Sequence, residues 1–220
     1  MDVVDKTKEI KYIIDNFDFV FFSRPKRFGK SITLDTIALL FSKGLEPYFK
    51  DTYIAGNNED GSPRWDGVIY PVVRLDFSKI RADELSEFRQ LFVAQLNIYN
   101  KAFGLDKSAL NVNIAQTFEE FTCNIIEKYP KGFVLLVDEY DAPLNALIDD
   151  IEKFEILRKE IRDFYATIKS DTVSQTIRFM LVTGITRFKD VSIFSAGSNI
   201  VDISYDSNIA TIVGYTREEM

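Results

Sequence analysis

The sequence contains no histidine. Catalytic triads and dyads that use histidine as the base, beside a serine or cysteine nucleophile, are therefore excluded. Metal sites with histidine ligands are excluded for the same reason.

Cysteine is nearly absent too. Cys123 is the single one, so no disulfide can form within the chain. It lies among helix-like residues, and we expect it to be a buried, small hydrophobic side chain. A reducing, cytoplasmic setting suits this composition.

Long hydrophobic runs are also missing. No apolar stretch reaches the length that spans a bilayer, and residues 1–17 alternate charged with apolar residues, unlike a signal peptide. No membrane association is expected. The 220 residues are nevertheless 46% hydrophobic, enough for one domain with a large core. The net charge of −7 argues against nonspecific binding of nucleic acid by the whole surface.

Apolar strands alternate with helices along the chain. Strands are predicted at 19–23, 68–77, 132–140 and 177–185. Helices are predicted at 30–41, 83–103, 117–129 and 152–169. Thr117 and Glu120 form a capping box that opens the third helix, and Ile32 is counted toward the core face of the first. This pattern predicts a parallel sheet covered on both faces, with ligands at the carboxyl ends of its strands.

A basic loop follows the first strand and ends in Gly29-Lys30-Ser31. In a phosphate-binding loop, Gly29 permits close approach of the backbone, Lys30 contacts the phosphates, and Ser31 binds Mg²⁺. The first glycine of that motif is missing, because Arg24 occupies its position, and Pro25 removes one N–H donor. The candidate nucleotide contacts here are Arg24, Pro25, Lys26, Arg27, Phe28, Gly29, Lys30, Ser31 and Ile32.

The loop alone leaves a second interpretation equally open. It could be an ordinary basic turn, or a nucleic-acid patch that uses the positive charges. The four charged residues concerned are Arg24, Lys26, Arg27 and Lys30.

The strand predicted at 132–140 ends in Asp138-Glu139, the pattern of a Walker B motif. Asp138 is expected to hold Mg²⁺ through its water shell, and Glu139 to polarise the attacking water. Two adjacent carboxylates at the exit of a buried strand need a counter-charge, which a metal supplies. A strand that merely ends in an acidic turn is the alternative, and the upstream loop makes it the weaker one.

Polar residues also follow two other strands. Thr183, Thr186 and Arg187 are candidates for contacts with the γ-phosphate, although capping of a strand and turn remains the favoured interpretation. Asp76 ends the second strand, where capping of the following turn is the safer interpretation.

Six blocks appear in an order that resembles the bacterial AAA-ATPase-like family, whose members often carry a C-terminal PD-(D/E)xK nuclease-like domain. The blocks are VDKT (4–7), FFSRPKRFGKS (21–31), PVVRLDFS (71–78), LLVDEYDAPL (135–144), TGITRF (183–188) and GYTREE (214–219). In that family the loop typically begins Arg-Pro, so the resemblance implies that Arg24 is a family trait.

The resemblance implies a P-loop NTPase three-layer α/β sandwich with a mainly parallel sheet, of the additional-strand, AAA/STAND-like class. The strand that ends near Thr183 would then lie between the other two site strands. ATP and Mg²⁺ are the implied ligands. Lys30 and Ser31 carry over as phosphate and Mg²⁺ contacts, Asp138 and Glu139 as Walker B residues, and residues 5–7 as a block near the nucleotide base.

Residues 216–219 form another capping box one residue before the chain stops. We expect a P-loop domain over 1–213, with 214–220 as the start of a truncated helix or domain. No nuclease activity is expected from this chain.

Three functions remain open at this point. The leading hypothesis is an ATPase in which Lys30 and Glu139 are catalytic. The second is a slowly hydrolysing switch that moves a protein partner or a missing C-terminal nuclease-like domain. A hydrolysis rate that depends on protein concentration would indicate assembly with a second copy of the chain. The third is a nucleic-acid-binding module that uses the basic loop, which the acidic net charge makes the weakest of the three.

Overall fold

The computed structural model describes residues 4–186 and 199–214. Within these residues, parallel strands form one five-stranded sheet in the order β2-β3-β4-β1-β5. The strands are β1 (Phe19–Ser23), β2 (Val72–Asp76), β3 (Phe133–Asp138), β4 (Ile177–Gly184) and β5 (Val201–Asp202). This order confirms the α/β sandwich of the P-loop type and the position of β4 between β1 and β3.

Helices cover both faces of the sheet. They are α1 (Thr7–Asn16), α2 (Lys30–Lys43), α3 (Leu85–Phe103), α4 (Ile114–Lys128), α5 (Ala142–Ala146), α6 (Ile151–Ile168) and α7 (Asp171–Ser174). Successive strand residues point to opposite faces. Phe21 and Leu135 pack with α3, α4 and α6, whereas Phe22 and Leu136 pack with α1 and α2. Burial on both sides explains why the strands are nearly continuous apolar runs.

Strand β2 is the outer strand on one side, and α3 covers its open edge. The side-chain amide of Gln95 accepts a hydrogen bond from the Asp76 N–H (3.0 Å) and donates one to the Asp76 carbonyl (2.8 Å). The Tyr99 hydroxyl donates to the Arg74 carbonyl at 2.8 Å. Side chains of α3 therefore occupy backbone groups that another strand would otherwise pair with.

Strand β2 is shorter than predicted. It begins at Val72, directly after Pro71, whose nitrogen has no hydrogen to donate to the ladder. The N–H of Tyr70 donates instead to the carbonyl of Phe41 in α2, at 2.9 Å. Across residues 4–186 and 199–214, no helix combines the length and the apolar character needed to cross a membrane.

Helix α4 begins earlier than predicted. Asn113 is its N-cap, and its side chain accepts a hydrogen bond from the Gln116 N–H at 2.9 Å. Thr117 is buried inside the helix, where its hydroxyl donates to the Asn113 carbonyl at 2.9 Å. The predicted capping box of Thr117 and Glu120 is therefore wrong, because an asparagine one turn earlier caps the helix.

Two side chains predicted to be buried are exposed. Cys123 is exposed on α4, because Phe121 and Ile125 carry the core face of that helix. Ile32 is 66% exposed on the first turn of α2, while Leu34 is fully buried. Both predictions of burial were wrong, since each took apolar character alone as evidence for the core face.

Candidate functional site

The carboxyl ends of β1, β3 and β4 lie side by side at one edge of the sheet. The register pairs Ser23 with Gly184 across β1 and β4, and Val137 with Val182 across β3 and β4. The basic loop, the acidic residues after β3 and the turn after β4 therefore converge. This is the edge at which open α/β sheets bind ligands.

The loop of residues 24–29 leads directly into α2. Gly29 is the N-cap of α2 and has φ of 85°, a left-handed conformation that glycine adopts without steric cost. The Thr33 N–H donates to the Gly29 carbonyl at 3.0 Å. The N–H groups of residues 30–32 come before this first helical hydrogen bond and have no carbonyl partner within α2. Such groups at the start of a helix can donate to a bound anion.

The Lys30 side chain is buried and folds back over the loop. Its ammonium donates to the carbonyls of Arg24 (2.8 Å) and Pro25 (2.9 Å). Burial lowers the pKa of Lys30, and the charges of Glu139, Asp138 and Asp141 only partly oppose this. A largely buried cation is thus held against the loop backbone, close to the acidic residues that follow β3.

Asp138 is the centre of a hydrogen-bond network that joins three elements. The hydroxyl of Ser31, on α2, donates to Oδ2 at 2.8 Å. The hydroxyl of Thr183, on β4, donates to Oδ1 at 2.7 Å. The guanidinium of Arg74, on β2, donates to Oδ2 at 2.7 Å. Asp138 is only 3% exposed, so these donors replace water around a buried carboxylate.

Arg74 bridges Asp138 and a second carboxylate. Its other terminal nitrogen donates to Asp35, on α2, which is largely exposed. Burial alone lowers the pKa of Arg74, but the hydrogen bond to Asp138 and the charges of Asp35, Asp138 and Asp76 outweigh it and raise the pKa. The bridge therefore fixes β2, β3 and α2 relative to one another.

Glu139 has an unusual backbone conformation. Its φ is 49°, in the left-handed region that residues other than glycine rarely adopt. The Thr183 hydroxyl accepts a hydrogen bond from the Glu139 N–H at 3.4 Å, and the Thr183 carbonyl accepts one from the Tyr140 N–H at 3.0 Å. The Glu139 carboxylate is partly exposed and lies 3.9 Å from the guanidinium of Arg81. Such local strain is typical of functional positions.

Asp141 holds the turn that follows β4. Its fully buried carboxylate accepts hydrogen bonds from the N–H groups of Ile185 and Thr186, the latter at 2.7 Å. The Tyr140 hydroxyl donates to the Thr186 carbonyl at 2.8 Å. Gly184 leaves room for this packing, since a Cβ atom there would lie 2.5 Å from the Tyr140 ring. The residues after β3 and β4 therefore form one connected unit.

Arg24 links the basic loop to residues 199–214. Its guanidinium donates to the carbonyls of Ser204 (2.6 Å) and Ser23 (2.9 Å), and its N–H donates to the Gly184 carbonyl at 3.3 Å. The Ser204 hydroxyl accepts a hydrogen bond from the Ser23 N–H at 2.9 Å. The residue that replaces the first glycine of the usual motif therefore anchors the loop to a distant part of the chain.

The structure places the predicted residues in different positions around this centre. Lys30, Ser31, Asp138 and Thr183 are brought together. The loop tip, residues 25–28, is exposed, and Ile32 faces outward. Arg187 and the capping box at 216–219 lie outside the described residues.

Other predicted positions have local partners. Thr186 presents its backbone to Asp141 and Tyr140. Asp76 accepts hydrogen bonds from the N–H and hydroxyl of Ser78, which confirms its capping role.

The Asp5 carboxylate accepts hydrogen bonds from the N–H groups of Thr7 (2.8 Å) and Tyr53 (2.6 Å). Asp5 therefore ties the start of α1 to a neighbouring turn.

Sequence reasoning missed Arg74 and Asp141 as parts of the site. A signal for Arg74 was present, since an arginine between Val73 and Leu75 in a buried strand needs a carboxylate partner. Asp141 had no comparable signal, because a carboxylate after a strand is equally common in an ordinary turn.

The oxygen atoms of Ser31 and Asp138 suit a Mg²⁺ ion. The Ser31 hydroxyl points its proton at the carboxylate, which leaves its lone pairs for a metal. Among the described residues, no group of three or more metal-ligating side chains could hold an ion. A Mg²⁺ ion here would need phosphate oxygens and waters to complete its shell, as is usual for Mg²⁺ carried by a nucleotide.

Comparison with known proteins agrees with this geometry. Residues 2–194 match the model of a family described as "Predicted AAA-ATPase". A curated relative from Azotobacter chroococcum mcd 1, the "Uncharacterized protein in vnfD 5'region", is 33% identical over 221 residues. That alignment covers 99% of this chain but 40% of the relative, so the chain spans less than half of that protein's length. Since the family match extends over nearly the whole chain, this protein belongs to the family of predicted AAA-ATPases.

Proposed function

We propose that this chain binds ATP with Mg²⁺ at residues 24–31 and hydrolyses it. The observation that carries the proposal is the hydrogen bond between Ser31 and Asp138. It joins Ser31, at the end of the proposed phosphate-binding loop, to Asp138, the first acidic residue of the proposed Walker B pair, at 2.8 Å. The family match supports nucleotide binding in general terms.

Binding begins with the loop and the start of α2. The N–H groups of residues 30–32 would donate to phosphate oxygens, and the helix dipole favours the negative charge there. The Lys30 ammonium would exchange the carbonyls of Arg24 and Pro25 for the β- and γ-phosphates. Because Lys30 is already desolvated, a phosphate contact costs it little further loss of hydration.

Hydrolysis is assigned to Glu139. Its carboxylate is partly exposed at the carboxyl end of β3, beside the position proposed for the γ-phosphate, where it would orient a water molecule for in-line attack. Lys30 would stabilise the charge that develops on the transferred phosphoryl group. Bound Mg²⁺ supplies further neutralisation of phosphate charge. Thr183 and Asp141 would act indirectly, by holding Asp138 and the turn after β4.

A slowly hydrolysing switch uses the same contacts. The turn at residues 185–186 is hydrogen-bonded to Asp141 and Tyr140, so a change at Asp138 and Glu139 on nucleotide binding would be passed to this turn. Arg187, which falls in the part that the structure leaves undescribed, is retained here as a candidate γ-phosphate contact. A rate per molecule that rises with protein concentration would favour action through assembly with a second copy.

A nucleic-acid function for the basic loop receives less support. Two of its four positive charges are directed inward, because Lys30 and Arg24 donate to backbone carbonyls. Lys26 and Arg27 are the two charged residues left at the exposed tip.

The first experiment is calorimetric titration of Mg-ATP into the wild type, Lys30→Ala and Glu139→Gln. Lys43→Ala is a matched control, since it removes an exposed lysine at the other end of α2. Lys30→Ala should weaken binding at least about tenfold, because a charge-assisted phosphate contact is lost. Glu139→Gln should still bind, and its turnover should fall by roughly 10²–10⁴, the usual contribution of a positioned base.

Either of two results would contradict the proposal. One is wild-type protein that binds no Mg-ATP. The other is equal affinity in the wild type, Lys30→Ala and Lys43→Ala, which would place any nucleotide away from the loop.

A further inference from the structure

Arg74 competes for the carboxylate that the proposed metal needs. Its guanidinium lies 2.7 Å from Asp138 Oδ2, and the Ser31 hydroxyl lies 2.8 Å from the same oxygen. A cation bound at Ser31 would therefore lie close to the positive charge of the Arg74 guanidinium. The interaction of like charges at such separations is strong where water is largely excluded.

Arg74 has a second carboxylate partner that would hold it if its hydrogen bond to Asp138 were broken. One terminal nitrogen is held by Asp138, which is 4% exposed in its side chain, and the other by Asp35, which is 60% exposed. If the bond to Asp138 is lost, the guanidinium keeps a carboxylate partner nearer the solvent. An open groove of about 500 Å³ adjoins Arg74 and Asp35 and is lined in part by Tyr70, Tyr99 and Tyr129.

We propose that Arg74 is a positioning residue that sets the Mg²⁺ requirement of the nucleotide site. It neutralises Asp138 when no metal is bound and shifts its interaction toward Asp35 when Mg-nucleotide enters. This inference rests on the proposed function. It adds a residue from β2, outside both the loop and the Walker B pair, to the determinants of metal binding.

Opposite effects are expected from changing the two partners of this bridge. Removing the charge of Arg74 leaves Asp138, among the described residues, with the hydroxyl donors of Ser31 and Thr183, so a divalent cation becomes a better partner for it. Removing the charge of Asp35 makes the cluster more positive and takes away the second anchor, so a divalent cation becomes a poorer fit. A purely structural bridge would respond in the same direction to both changes.

The experiment measures the affinity of a fluorescent ATP analogue as Mg²⁺ is raised from an EDTA-buffered start. The wild type is compared with Arg74→Gln, Arg74→Lys and Asp35→Asn. Arg178→Gln is the matched control, since it removes an arginine paired with Asp18 at the opposite end of the sheet. Melting temperatures with and without Mg-nucleotide are recorded for each variant.

The quantity compared is the Mg²⁺ concentration that gives half of the full gain in affinity for the analogue. Arg74→Gln should lower this concentration by about tenfold or more, and Asp35→Asn should raise it. Arg74→Lys, which keeps the charge, and Arg178→Gln should stay within about threefold of the wild type. Arg74→Gln should lower the melting temperature mainly in the absence of Mg-nucleotide. The increase in melting temperature on adding Mg-nucleotide should therefore be larger than in the wild type.

The outcomes separate this inference from the proposed function. If the wild type binds the analogue but Arg74→Gln and Asp35→Asn share its Mg²⁺ dependence, or shift it the same way, the role of Arg74 is refuted and the nucleotide site stands. If the wild type binds no analogue at any Mg²⁺ concentration, both fail together. Should Arg74→Gln not fold, Asp35→Asn and Arg74→Lys decide the question, because Asp35 is largely exposed.

Discussion

Replacing Thr183 by valine removes one hydroxyl from the centre of the site and keeps the shape of the side chain. That hydroxyl donates to Asp138 Oδ1 at 2.7 Å, and Thr183 is fully buried. Water therefore cannot readily take its place. The substitution leaves Oδ1 of a buried carboxylate without this donor, while Oδ2 keeps Ser31 and Arg74.

The expected cost follows from the charge of the acceptor. Hydrogen bonds to charged groups contribute about 1.5–3 kcal/mol, and an unsatisfied buried acceptor costs a similar amount. We expect Thr183→Val to lower the free energy of unfolding by about 1.5–3 kcal/mol, whereas Thr183→Ser should recover most of the loss. For a chain of this size, each kcal/mol lowers the melting temperature by about 2–4 °C.

Urea unfolding measures this change, and Thr122→Val is its matched control. Thr122 is 1% exposed, but its hydroxyl donates to the Glu119 carbonyl of its own helix, which is a neutral acceptor. Its loss should lower stability by about 0.5–1.5 kcal/mol, the net contribution of a neutral hydrogen bond. Equal effects of the two valine substitutions, with unchanged denaturant slopes, would refute the idea that Thr183 stabilises a charged Asp138.

Two further predictions concern the same edge of the sheet. Gly184→Ala should lower the free energy of unfolding by about 1–3 kcal/mol in a urea titration, because the new Cβ would lie 2.5–2.6 Å from the Tyr140 ring; an equal loss in a Tyr140→Ala background would contradict this cause. Mg-ATP affinity should decline as the pH rises toward 10.5, because burial lowers the pKa of Lys30 and only the charged ammonium binds phosphate strongly. The charged form is fully present below the lowered pKa, so calorimetry should show the loss on the alkaline side, and constant affinity up to pH 10.5 would contradict it.

The sequence was sufficient to predict the strands that build the site. β1, β3 and β4 are apolar runs bounded by polar residues, and their observed limits lie within two residues of the predicted ones. Burial on both faces creates that signal, and it does not depend on which strand is the neighbour. The order of the strands, in contrast, came from the family resemblance, since apolar runs carry no information about adjacency.

The pairing of Arg74 with Asp138 shows what could not be predicted: the sequence indicates that Arg74 needs a carboxylate, but not which one. The pairing depends on the register of β2 against β3, which places Asp76 opposite Asp138. Arg74 lies two residues before Asp76 and therefore on the same face of the sheet. Register is fixed by packing across the sheet. Arg24 is a similar case, because its partner Ser204 is 180 residues away and has no recognisable motif.

Local signals failed where two of them competed. The Thr117 capping box lies four residues after Asn113, which caps α4 instead. Both patterns satisfy the same rule, and only the fit of Phe118 and Phe121 into the core selects between them. A choice of this kind is made by tertiary packing, which outweighs the small energy of a cap.

The amide of Gln95 makes both hydrogen bonds that an incoming strand would make to Asp76. The Gln95 side chain therefore satisfies the backbone of Asp76 at the edge of the sheet in the way that a residue of a neighbouring strand would. Chains that meet through β2 would first have to displace it, together with the Tyr99 hydroxyl on Arg74. Helix α3 thus gives the sheet a defined end on this side.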